Sequence, residues 1–148
     1  VSPRPAAPTA TAGERHDELT LVVLTAAQSD LAFEAARVAE VQLARDWRGA
    51  AGLDLFAALA HAPAQSEDEP RVLVIRRDGA ADLVVRIAGA LRVESIPRAS
   101  ALPLPRVLAS RAPWIRSVVL TEGRRPILIL EPSHLDATPA GPATPAPG

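Results

Sequence analysis

Apolar residues fall in short runs separated by turn residues, at a spacing that suits strands. The first run is Leu19-Thr20-Leu21-Val22-Val23-Leu24, and Leu31-Ala32-Phe33 follows the turn-like Gln28-Ser29-Asp30. Arg71-Val72-Leu73-Val74-Ile75-Arg76 and Asp82-Leu83-Val84-Val85-Arg86-Ile87 flank Asp78-Gly79, a hairpin signal between β-branched runs. Residues 90–96 alternate apolar and polar side chains, as a half-buried strand does. Trp114–Leu120 is a further run; Gly123 turns the chain, and Pro126 opens the last run, Ile127–Leu130. Pro is tolerated there because a strand's first residue can lack a ladder N–H.

Helical signals are sparse. Leu55, Phe56 and Leu59 form one stripe over Leu53–His61, Leu104–Arg111 has room for one or two turns, and Glu131–Leu135 for a last one. Many strands and few helices predict a mainly β fold, barrel or sandwich. Residues 1–18 and 137–148 are aperiodic Pro/Ala-rich stretches that bury too little apolar surface to offset ordering entropy, so disordered tails are expected. The folded unit is then residues 19–136.

Composition narrows the function. Apolar residues make up 48% of the 148-residue chain and aromatics 3%, so an aliphatic core is affordable. The formal net charge of −1 shows none of the basic excess of a nucleic-acid binder or a polybasic membrane anchor. All basic residues are Arg, which reflects base composition rather than function. Without Cys there is no disulfide, thiolate nucleophile or Cys-ligated metal. No run reaches the length of a membrane span, and the first residues lack the apolar run of a secretory signal, so a cytoplasmic protein without direct membrane insertion is expected.

Catalytic motifs are missing as well. His16, His61 and His134 lack metal-ligand spacing, so no metal is expected. Ser133, His134 and Asp136 are neighbours in sequence, but no nucleophile elbow or phosphate loop accompanies them. The sequence therefore predicts no catalytic residue and no cofactor. Glu67-Asp68-Glu69 reads as a solvated loop. Trp114 opens a strand and favours the core; Trp47 sits among Arg45, Asp46 and Arg48, which implies a surface.

The order of these pieces resembles a CheW-like domain. The similarity runs through Val72–Ile75, Leu83–Ile87 with Gly89 and Val93, Leu102-Pro103-Leu104-Pro105, Trp114-Ile115-Arg116-Ser117, and Ile129–Leu135. Earlier, Val38-Ala39-Glu40-Val41 is similar to the family's V-x-E-V, and Arg48-Gly49 with Asp54-Leu55 to its RG…DL segment. A longer Pro/Gly-containing loop normally separates those two segments. Arg86 and Ser117 stand where the family has Asp and Gly.

The resemblance implies two linked small SH3-like β-barrels, a shortened first subdomain over 19–70 that is left incomplete, and a second over 71–136. It also implies a non-enzymatic adaptor that couples chemoreceptors to a CheA-type histidine kinase. The partner-binding residues it suggests are Val38, Glu40, Val41, Arg48 and Gly49. Against this stands a purely structural role, with Val38 and Val41 in the core and Arg48 in an internal ion pair. The alternative function is a diverged CheW-like interaction or self-assembly module that uses an open sheet edge.

Overall fold

The computed structural model describes residues 17–59 and 68–135. The chain forms ten strands there: β1 Glu18–Thr25, β2 Asp30–Glu34, β3 Val38–Leu43, β4 Leu53–Asp54, β5 Arg71–Ile75, β6 Leu83–Ile87, β7 Leu91–Pro97, β8 Ala101–Pro103, β9 Ile115–Val119 and β10 Ile127–Leu130. Two short helices join them, α1 Leu55–Ala58 and α2 Arg106–Arg111. The fold is mainly β, as the periodicity predicts. Strand β1 starts at Glu18, one residue inside the expected tail; residues 1–16 and 137–148 of the tails, with His61, Glu67 and Asp136, lie outside the described residues.

The strands make two sheets. Six lie in the order β7-β1-β2-β10-β9-β8 and four in the order β3-β5-β6-β4. The outermost strands of the large sheet, β7 and β8, are joined only by the turn Arg98–Ser100, so the sheet must curl on itself. All pairs within it are antiparallel except β2 with β10. The small sheet is inserted between β2 and β7, and a boundary at residue 70 would cut it between β4 and β5. The division into 19–70 and 71–136 thus gives way to an interleaved one: a sheet over 38–87, and a sheet from the segments on either side. The physical reason is pairing partner: β1 zips antiparallel to β7 over seven residue pairs, from Glu18↔Pro97 to Leu24↔Leu91.

β1 explains why its sequence does not alternate. Val22 and Leu24 pack with Leu31, Phe33, Leu73, Ile75, Leu83 and Val85 in a core between the two sheets. Leu21 and Val23 point the other way, into a second core with Leu19, Ala32, Ile96, Val119, Ile127 and Ile129 inside the curled sheet. A strand buried on both faces reads as a continuous apolar run.

Local expectations were met in part. The β5–β6 and β9–β10 connections turn at Gly79 and Gly123, both with φ in the left-handed region that favours glycine. The stripe over Leu53–His61 opens as strand β4 and turns helical only at Leu55, capped by the Asp54 side chain accepting from the Ala57 N–H. Strand β8 falls on Leu102-Pro103, where proline argues against a central strand; it holds because β8 is a sheet edge. Trp114 packs, half-buried, against the inter-sheet core.

Two-sided burial has a direct test. Leu21→Ala and Leu24→Ala, on opposite faces of β1, should each destabilise the chain by about 2–5 kcal/mol in urea unfolding. A cost near zero for either would mean that one face of β1 is not core.

Candidate partner interface and the ionic barrel mouth

The five residues singled out from sequence lie on one continuous segment at the edge of the small sheet. β3 pairs only with β5, with a register shift between Val38 and Glu40, so its other edge is unpaired among the described residues. Val38 is half-buried against the inter-sheet core, whereas Ala39, Glu40 and Val41 are exposed, Val41 by 43%. Glu40 accepts a hydrogen bond from the Gln42 side chain. Val41 is therefore not core, but Val38 partly is.

A turn at Ala44–Asp46 then leads to Trp47-Arg48-Gly49-Ala50. The Trp47 indole N–H donates to the Ala50 carbonyl at 2.8 Å, and its ring lies over Gly49. A Cβ at Gly49 would run into the indole, so glycine is required by close approach. Arg48 is exposed and donates to the carbonyl of Arg45 at 3.0 Å, so it braces its own loop in place of an internal ion pair. The segment offers an open strand edge, one exposed valine, a carboxylate and a guanidinium. These groups do not converge on a catalytic geometry.

Asp136 lies outside the described residues, and among those described Ser133 is engaged locally rather than by His134. The Ser133 hydroxyl donates to Glu131 at 2.8 Å, where Glu131 caps the turn Pro132–His134. Among the described residues, no three His, Cys, Asp or Glu side chains gather as metal ligands.

A charged cluster at one end of the curled sheet has no counterpart in the sequence reading. Arg92 and Glu94 pair with Val23 and Leu21, and Asp30 with Ile127. Paired residues share a face, so all three side chains point into the curled sheet above its apolar core. Arg92 donates to Glu94 at 3.1 Å and to Asp30 at 3.0 Å. Arg124, from the β9–β10 turn, grips Glu94 with two bonds of 2.8 and 3.2 Å. Arg125 stands 3.3 Å from Asp30 Oδ1, an ion contact that lacks hydrogen-bond alignment, and reaches the Ser29 carbonyl at 3.4 Å. A cleft of about 360 Å³ opens there, lined by Thr25, Asp30, Arg92, Gly123, Arg124 and Arg125. Asp30 is only 5% exposed at its side chain, which the two guanidiniums offset.

The phase of β7 is thus inverted over part of its length. Val93 is 66% exposed, while Arg92 and Glu94 are half-buried. Alternation in sequence predicted the strand correctly, but which face was inside depended on a mouth that accepts ions.

Glu94 makes this mouth pH-sensitive. The Arg124 hydrogen bonds, helped by Arg92, hold its carboxyl below the ordinary value of 4.5 against the opposing effect of burial. A lowered folded pKa contributes stability that is complete above the unfolded value and lost as pH falls through the folded one. Glu94→Gln should therefore lower stability at pH 7 by about 1–2 kcal/mol. That deficit should vanish below the folded pKa when urea midpoints are measured from pH 7 down to pH 2. A deficit that is constant with pH would place its cause outside Glu94 ionisation.

No family model matches the sequence, and no curated protein matches it. Among solved structures, the chain is similar to the scaffolding protein TtCheW from Thermoanaerobacter tengcongensis, with a TM-score of 0.53 and 18% identity. The match covers 76% of this chain and 88% of that one. A curled six-stranded sheet and a four-stranded sheet, whose two cores share β1 and β2, together with similarity spread over most of both chains, give this protein the CheW-like fold.

Proposed function

We propose that the protein is a non-enzymatic, cytoplasmic chemosensory adaptor, which couples receptors to a CheA-type histidine kinase through protein–protein contacts. The observation that carries this reading is the exposed β3 edge and the Trp47–Ala50 loop on a CheW-like fold. β3 contains no proline, so the alternate N–H groups that point away from β5 are all available to a partner strand. Glu40 and Arg48 then supply orientation through charge, and Val41 an apolar contact. Among the described residues, no helix is long and apolar enough to cross a membrane.

The same open edge favours one alternative. A diverged module of this fold could pair β3 with β3 of a second copy and serve another signalling partner. Light scattering after size-exclusion chromatography separates the two, because a strictly monomeric chain that binds kinase supports the adaptor.

Purified kinase regulatory domain and receptor signalling tip are the partners to titrate calorimetrically. Glu40→Arg and Arg48→Glu should each weaken binding about tenfold or more, equal to roughly 1.4 kcal/mol. Val93→Ser, at an exposed position of β7, should change nothing. Folded Arg48→Glu protein with full affinity would remove Arg48 from the interface, and binding to neither partner would end the adaptor reading.

A further inference from the structure

The segment between Glu94 and Glu122 carries four arginines and no carboxylate, in a chain whose net charge is −1. It contains β8, α2 and β9. Arg98 reaches the Glu18 carbonyl, and Arg116 pairs with Glu34. Arg106 and Arg111, at the two ends of α2, are exposed and make no ion pair among the described residues. Between them, Val107 is 64% and Leu108 50% exposed, and Leu102 of β8 is 46% exposed.

α2 is unusual in its energetics. It has six residues, no buried side chain and no side-chain cap. Helices this short are marginal in water and ordinarily depend on packing an apolar face. Here the apolar residues point away from both cores. Pro103 also removes an N–H from the β8 edge, so this face suits side-chain docking better than strand addition.

We propose that Leu102, Val107 and Leu108, flanked by Arg106 and Arg111, form a docking surface for an acidic segment of a partner protein that carries its own apolar anchors. Charge complementarity selects the occupant. Guanidiniums beside a small apolar centre fit carboxylates around a leucine-type contact. A second copy would bring the same arginines against each other. A lipid surface is a poorer fit, since helices that lie in membranes bury a long apolar face and α2 ends after six residues. This surface is separate from the β3 edge, so it would give the proposed adaptor a second contact face; the surface itself rests only on the patch.

Chemical-shift titration of the full chain tests it, with a synthetic helical peptide bearing leucines on one face and glutamates elsewhere. The Val107 and Leu108 methyl signals should move, and added salt should weaken binding. Arg106→Glu/Arg111→Glu should reduce affinity about tenfold or more, and so should Val107→Ser/Leu108→Ser. All four residues are exposed, so both variants should keep the parent circular dichroism. Glu40→Arg should bind the peptide normally, which separates failure here from failure of the adaptor reading. Equal binding of a lysine version of the peptide would overturn the proposal. So would unchanged affinity in the variants, methyl shifts that follow protein concentration alone, or sedimentation with phosphatidylglycerol vesicles in place of peptide binding.

Discussion

Burial of β1 and β2 on both faces organises everything else in this chain. Leu21 and Val23 are fully buried in one core, and Leu24, Leu31 and Phe33 in the other. Each such side chain contributes roughly 1.5–3 kcal/mol when removed from water. A septum of this kind needs an element against each face. The curl of the six-stranded sheet supplies one, and the inserted sheet over Val38–Ile87 supplies the other. Neither core could close without the strands it shares with its neighbour, so the two halves are expected to fold as one cooperative unit.

The unequal widths of the sheets decide where the surface is apolar. Four strands cannot cover six. Leu91 and Leu128 still pack against the inter-sheet core, whereas Val93 on β7 and Leu102 on β8 stand exposed. At the end of the curled sheet, the interior faces water through a cleft, and charge replaces hydrocarbon. Asp30, Glu94 and three arginines close that end through paired contacts, which unpaired buried charges could not do.

How much of this was legible in sequence depended on whether an element's signal was local. The run Leu19–Leu24, the Asp78-Gly79 hairpin and the Pro126-led last strand announce themselves through chemistry that acts within a few residues. Strand β8 carries a proline and was invisible, because its pairing depends on reaching the sheet edge. Asp30 looked like a turn residue, and Arg92 and Glu94 like the wet side of β7. Their convergence is set by the register of β1 with β7 and of β2 with β10, contacts between residues far apart in sequence in both cases. The candidate interface fell between these extremes. The resemblance picked the segment that forms the exposed edge strand and loop, but it could not say that Val38 leans on the core or that Arg48 braces its own loop.

Glycine and tryptophan show why the short β3–β4 connection is stable despite its lack of a core. Trp47 folds back so that its indole bonds the Ala50 carbonyl and covers Gly49, while Arg48 ties the Arg45 carbonyl from outside. At the far end of the connection, Gly52 lies against the side chains of Val84 and Arg86 on β6, where a Cβ would stand 2.9 Å from the Arg86 Cγ. One close approach folds the connection on itself at Gly49, and the other sets its far end against β6 at Gly52. A connection held this way stays near β6 and leaves the outer edge of β3 unpaired. The same few residues that make the loop short also keep the strand edge open.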